Sequence, residues 1–171
     1  MIAVVIYDSL YGNTAQIAQA IGDGLSSLLG TAGSVEVVKV GDAHPNRLAG
    51  FNLLLVGGPT HGSRPSPAMH AFLKRIPKAS LVGVRFAAFD TRTDMDKLTG
   101  ATRVFGKIFD RFGYAAPKIA SSLANAGGQM AAPPEGFIVK GTEGPLEDGE
   151  LERARAWAIR ILNQEEHLRN V

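Results

Sequence analysis

The chain has 171 residues, of which 45% are hydrophobic and 20% charged, with a formal net charge of +2 and a sequence pI of about 9.0. That length suits a single domain over residues 1–171 with a sizeable core. The lack of cysteine excludes disulfides and thiolate chemistry, no apolar stretch approaches a membrane span, and charges that read as mixed along the chain give no sign of nucleic-acid binding.

The first apolar run, Ile2–Tyr7, reads as a strand. It is short, has no basic flank and meets Asp8 at once, so it is not read as a secretion signal, and a cytoplasmic location is the default expectation. A loop over Ser9–Thr14 follows. From about Ala15, helical spacing of Ile17, Ile21, Leu25, Leu28 and Leu29 predicts a helix that Gly30 ends. Val35–Val40 and Phe51–Gly57 read as the second and third strands, and the third runs into the loop Gly57–Ser66. Ser66 followed by Pro67 has the form of a helix N-cap and a first-turn proline. Phe72, Leu73 and Ile76 continue one helix face, and Pro77 stops it. Val82–Phe89 reads as the fourth strand, leading to a loop over Asp90–Asp94. Val104, Phe105, Ile108, Phe109 and Phe112 form an apolar stripe broken at Gly113, best read as core packing. A helix over about Ala116–Ala126 carries Ile119 and Leu123. Gln129–Ala132 and Phe137–Val139 read as two halves of a last strand interrupted by Pro133 and Pro134. The final helix runs from about Gly149 to Leu168, with Leu151, Ala154, Ala158, Ile161 and Leu162 inward.

Alternating strands and helices predict an α/β fold: a doubly wound sandwich with helices on both faces of a parallel sheet. Near-continuous apolar runs at Ile2–Tyr7 and Leu53–Val56 agree with strands buried on both faces. Five strands with short crossovers suit the order 2-1-3-4-5, which places a ligand at the carboxyl ends of strands 1 and 3.

The loop Ser9-Leu10-Tyr11-Gly12-Asn13-Thr14 lies at that point. Hydroxyls, an amide and a glycine between strand and helix suit a phosphate, because backbone N–H groups at a helix N-terminus add donors and a favourable dipole. The loop lacks the G-x-x-x-x-G-K-[ST] of nucleotide triphosphatases and the G-x-G-x-x-G of dinucleotide binders, so a single phosphomonoester fits it best. It contains no Lys or Arg, so binding there rests on oriented dipoles.

This loop resembles the phosphate loop of the flavodoxin family, [ST]-x-[STY]-G-N-T, and the resemblance extends to chain length, strand–helix alternation and the loops after strands 3 and 4. It implies a flavodoxin-like three-layer sandwich that binds flavin mononucleotide (FMN). Ser9, Leu10, Tyr11, Gly12, Asn13 and Thr14 would then hold the phosphate. Pro59, Thr60, His61 and Gly62 from the second loop, with Asp90, Thr91 and Arg92 from the third, would surround the flavin ring. Gly62 falls where the family has a peptide that turns over as the flavin is reduced, and His61 where it often has a ring-stacking aromatic. Asp90–Asp94 lacks the family's tyrosine on the outer ring face, a place Met95 or the Val104–Phe112 stripe would have to fill. Arg92 would set a cation beside the ring.

The resemblance implies an FMN-binding electron carrier that exchanges electrons with a redox partner protein, with no catalytic side chain. One alternative is an FMN-dependent oxidoreductase acting on a small-molecule electron acceptor such as a quinone, or on a porphyrinogen. Another is a flavin-free binding module that uses the same cradle. The near-neutral charge departs from the acidic shuttle flavodoxins. A receiver domain is discarded because strand 3 ends in Gly57 and Gly58 rather than an aspartate, a serine hydrolase because no G-x-S-x-G occurs. His44, His61, His70 and His167 lack metal-ligand spacing.

Overall fold

Side chains alternate across the central strands and so divide the interior between two cores. In the computed structural model, which describes residues 1–93 and 114–169 with side chains through residue 164, β1 is Ile2–Tyr7, β2 Ser34–Lys39, β3 Leu53–Pro59, β4 Arg85–Thr93, β5 Gln129–Met130 and β6 Glu135–Val139. The helices are α1 (Asn13–Leu29), α2 (Pro67–Lys74), α3 (Ala115–Asn125) and α4 (Glu150–Arg169). Val4, Ile6, Leu54, Val56, Phe86 and Ala88 face α2 and α3. Their neighbours Ala3, Val5, Leu53, Leu55, Ala87 and Phe89 face α1 and α4. The result is the expected three-layer sandwich, and its deepest packing includes the T-shaped trio Phe89, Phe137 and Trp157, with ring centroids 6.0 to 6.3 Å apart.

The strand order is β2-β1-β3-β4-β5, with β6 also on β4, and every pairing is parallel. The last position is shared: β5 pairs with Arg85 and Phe86, β6 with Phe89–Thr93, and Pro133 and Pro134 lie between them, as the sequence predicts. Register aligns Tyr7 with Gly57, Pro59 with Thr91, and Thr93 with Val139. The loops leaving β1, β3, β4 and β6 therefore emerge at one edge.

Several expected boundaries shift. α1 begins at Asn13 rather than Ala15. β4 starts at Arg85, because Gly83 takes a left-handed φ of 84° that breaks extended geometry and leaves Val82 72% exposed. At its other end β4 continues through Thr93, so Asp90–Thr93 are strand residues, not a loop. Phe51 follows a 3₁₀ turn over Pro45–Gly50 instead of opening β3. The buried line of α1 runs through Ile17, Ile21, Leu25 and Leu29, and Leu28 lies off it, 41% exposed. Ser66 caps α2 as expected, its Oγ accepting from Met69 N at 3.2 Å. The Val104–Phe112 stripe, Met95 and Asp94 lie outside the described residues.

α1 and α4 touch closely at Gly24, where an added Cβ would stand 2.8 Å from the Arg155 carbonyl oxygen and 3.1 Å from its Cα. Gly→Ala inside a helix ordinarily stabilises by up to about 1 kcal/mol. Here backbone blocks the methyl, so Gly24→Ala is expected to destabilise by about 1–3 kcal/mol, read as a lower urea midpoint; an unchanged or raised midpoint contradicts a fixed α1–α4 approach.

Candidate functional site

The edge where the loops converge is built first by the turn into α1. Gly12 has φ 88° and ψ −14°, a left-handed conformation that glycine adopts without strain, and its N–H donates to Ser9 Oγ at 3.1 Å. No side chain caps α1. A helix leaves its first amides without intrahelical partners, so the start of α1 presents donors to whatever lies above it. Thr14, 2% exposed, shares a 2.8 Å hydrogen bond between its Oγ1 and that of Thr91. Asn13 Nδ2 donates to the carbonyl of Glu143 at 2.9 Å, tying the segment after β6 to the loop after β1. Residue 144 is glycine for a steric reason, since an added Cβ would lie 2.5 Å from Asn13 Oδ1.

The second loop is a closed hairpin. His61 and Arg64 exchange two backbone hydrogen bonds of 2.9 Å, and the central residues Gly62 and Ser63 have φ of 48° and 64°. Positive φ at both positions is the pattern of a type I′ turn. From α3, Lys118 Nζ donates to the Ser63 carbonyl at 2.5 Å.

Asp90 joins this hairpin to β4 and α3. Its side chain is fully buried and accepts from Arg92 Nε at 2.5 Å, Thr60 Oγ1 at 3.1 Å and Ala116 N at 2.8 Å. Thr60 Oγ1 in turn accepts from Ala115 N at 2.9 Å. Burial pushes the Asp90 carboxyl above its usual range, outweighing the Arg92 guanidinium and the hydrogen bonds that oppose it. Arg92 is bracketed: its Cζ stands 3.6 Å from the Tyr114 ring centroid, and a side chain at Gly136 would overlap its guanidinium. Its side chain is 14% exposed.

These parts enclose a cavity of about 210 Å³. Of the residues expected there, Ser9–Tyr11, Asn13, Thr14, Pro59–Gly62, Thr91 and Arg92 line it. Gly12 and Asp90 do not: Gly12 turns the chain into α1, and Asp90 lies behind, holding Arg92 and Thr60. Thr93, Val139 and Thr142 also line it and were missed. Their signal was available, because the segment after any parallel strand of this sheet reaches the same edge. Leu10 and Tyr11 are exposed beside the donors, at 63% and 48%. Among the described residues no cluster of His, Asp and Glu is fit to hold a metal ion, and no helix is long and apolar enough to cross a membrane.

The flavodoxin family profile matches this chain over residues 5–157, nearly its whole length. The chain belongs to the flavodoxin family. Proteins of this family bind FMN. Among solved structures the chain is similar to a flavodoxin from the domain Archaea, at 23% identity and TM-score 0.71, over 98% of this chain and 100% of that one. Flavodoxin 1 of Bacillus cereus has 17% identity and TM-score 0.73, over 95% and 98% of the two chains. Rubredoxin oxygen:oxidoreductase of Desulfovibrio gigas has 18% identity and TM-score 0.66, over 98% of this chain but 37% of that one. No curated protein matches the sequence. At these identities the structural likenesses show the fold alone. The donor set suits FMN on its own terms, since free helix amides and hydroxyls fit a phosphate and the flanking Leu10, Tyr11 and His61 fit a ring.

Asp90 supplies the test of this construction. Asp90→Ala strips Arg92, Thr60 and the start of α3 of one acceptor, and is expected to lower stability by about 3–5 kcal/mol. Adding Arg92→Met removes the stranded cation, so the double variant is expected to be more stable than additivity of the single losses allows. Urea unfolding of the four proteins reads the cycle; strict additivity contradicts the pairing.

Proposed function

We propose that this chain is an FMN-binding electron-transfer protein working as a single domain, most simply a carrier between redox partner proteins in the cytoplasm. The observation that carries this reading is the uncapped, left-handed entry to α1 at the mouth of the cavity. Ser9, Tyr11, Gly12, Asn13 and Thr14 would hold the phosphate through backbone N–H, hydroxyl and amide donors. Leu10 belongs to the same loop and offers apolar contact. Pro59, Thr60, His61 and Gly62 on one side, with Thr91 and Arg92 on another, would surround the ring, and Asp90 holds Arg92 from behind. When bound, FMN supplies reversible one- and two-electron chemistry. The protein's share is to orient the ring, exclude water and fix the nearby charge. Arg92, paired with Asp90 and held against Tyr114, would present a fixed guanidinium edge beside the ring, its charge partly balanced by the buried carboxylate. No side chain of the cavity is required as a proton donor or acceptor.

If the phosphate cradle dominates binding, the purified chain takes up FMN and holds it at least about a hundredfold more tightly than riboflavin, a difference of about 2.7 kcal/mol. Quenching of flavin fluorescence on titration measures both affinities. Equal affinities, or no uptake of either, would falsify the assignment of Ser9–Thr14.

A second reading is an oxidoreductase that uses FMN to reduce a small molecule such as a quinone. The exposed His61 and the cation of Arg92 at the cavity favour it, because such groups suit a small polar substrate as well as a docked protein. Saturable oxidation of NAD(P)H by the FMN-loaded chain with a quinone, and no partner protein, is the outcome expected of the enzyme; its absence leaves the carrier.

A further inference from the structure

A net charge of +2 averages over unlike faces. Residues 43–89 contain no Asp or Glu, but hold Arg47, Arg64, Lys74, Arg75, Lys78 and Arg85. α3 also lacks acids and adds Lys118. Since α2 and α3 cover the same face of the sheet, the surface of this helix pair is cationic; the acids of that face, Glu36 and Asp42, lie away from the pair, beside Arg47 at the β2 side, and Arg85 alternates with Phe86 to the other face. The opposite face is mixed: Asp23 in α1, Glu150 and Glu152 in α4, and Asp148 in the segment leading to it stand among Lys140, Arg153 and Arg155, which pair with them.

The cationic face is not flat. Between α2 and α3 lies a groove of about 510 Å³, walled by Arg64, His70 and Lys118 and floored by Pro65, Pro67 and Leu73. Arg64, His70 and Lys118 are exposed. His70 and Lys74 are four residues apart on α2 and so share a side of it, which carries the positive charge beyond the groove. The groove also adjoins the cofactor cavity through a shared element. Arg64 closes the hairpin whose His61 and Gly62 line that cavity, and Lys118 holds the hairpin tip through the Ser63 carbonyl.

We propose that the α2–α3 face is the docking site for an acidic redox protein, seated on the Arg64–His70–Lys118 groove beside the cofactor cavity. An apolar floor with a charged rim is the anatomy of a protein interface. Charges spread over two helices and a hairpin suit a macromolecular patch better than one small anion. Attraction of this kind mainly speeds and orients encounter, and weakens with salt. The word "redox" rests on the FMN reading above; docking itself does not.

The test uses the full-length ¹⁵N-labelled chain, with and without FMN, and two haem proteins of opposite charge, acidic cytochrome b5 and basic cytochrome c. At about 10 mM salt, cytochrome b5 is expected to shift the amides of residues 64–74 and 118–122, and the shifts are expected to fade by about 300 mM as screening shortens. Arg64→Glu with Lys74→Glu is expected to weaken that binding at least about tenfold and to strengthen binding of cytochrome c. Both positions are exposed, and the hairpin bonds of residue 64 are backbone bonds, so a wild-type urea midpoint is expected and checks folding. Shifts confined to α1 and α4, equal binding of the two haem proteins, or indifference to the charge reversal each overturn the docking site. A chain that docks cytochrome b5 at this groove yet takes up no FMN keeps the docking site and sinks the FMN reading; one that takes up FMN and ignores cytochrome b5 does the reverse.

Discussion

A carboxylate withdrawn wholly from water has to find its hydrogen-bond donors in the protein, and Asp90 finds them on three separate elements. Arg92 donates from the same strand, Thr60 from the end of β3, and Ala116 from the first turn of α3. Burying such a charge is tolerable only when its partners are complete and well placed. The requirement therefore fixes more than one side chain. It keeps β4 extended past Asp90, so that Arg92, two residues on, falls on the same face of the sheet. It sets the end of β3 against the start of α3, and it turns the Arg92 guanidinium onto Tyr114. Gly136, opposite Asp90 across the β4–β6 pairing, leaves the space that the guanidinium occupies. One wall of the cavity is thus a consequence of satisfying a single buried acid.

The other wall is built without charge. Ser9–Thr14 contain no cation, and the positive character of that end comes from the backbone at the start of α1, equivalent to roughly half an elementary charge. Neutral donors discriminate by number and direction rather than by attraction at a distance, which demands a rigid frame. The frame is visible in two ties: Thr14 to Thr91 joins β4 to α1, and Asn13 to the Glu143 carbonyl joins α1 to the segment after β6. In the proposed reading, the cradle for the phosphate and the cation for the ring are held by one connected set of bonds.

The central strands, the order of the sheet and the loop at Ser9–Thr14 were legible because each rests on local pattern: apolar runs, helical spacing, and Gly12 between a strand and a helix. Asp90 and Arg92 were legible as residues of interest but not in their conformation. The strand propensity of Phe89 and Thr91 extends through them, while their polar character argues for a loop, and non-local partners decide it: β3 beside Asp90 and Thr91, β6 beside residues through Thr93, and the donors that Asp90 collects. Glu143 carried no local signal, since its place depends on Asn13, 130 residues away along the chain, whereas Thr142 was signalled only by topology, as part of the segment that follows β6. Leu28 was misjudged because it lies beside, not on, the buried line of α1, and Val82 because Gly83 breaks the strand before it reaches that residue. The charge pattern was hidden by the whole-chain sum, and became readable once α2 and α3 were known to lie on one face.

That separation of charge has a structural side. On the α1–α4 face the ionic groups satisfy one another and the backbone. Glu150 accepts from Ile138 N on the edge strand β6, and Arg153 bonds Glu150, Glu135 and the Gly136 carbonyl while lying over Phe137. Arg155 approaches both Asp23 and Glu152, and Lys140 pairs with Asp148. Glu150 thereby occupies an edge-strand donor that a foreign strand would otherwise use. No such partner is present for Arg64 or Lys74 among the described residues, and the Lys118 ammonium meets only a carbonyl, a neutral acceptor. Charge balanced within the fold contributes little to the field felt by an approaching molecule, whereas unbalanced charge sets it. A chain whose total is close to neutral can therefore still steer a partner, provided its unpaired charge is gathered on one surface, and here the unpaired Arg64 closes the hairpin that borders the cavity and the unpaired Lys74 lies on α2, which follows it.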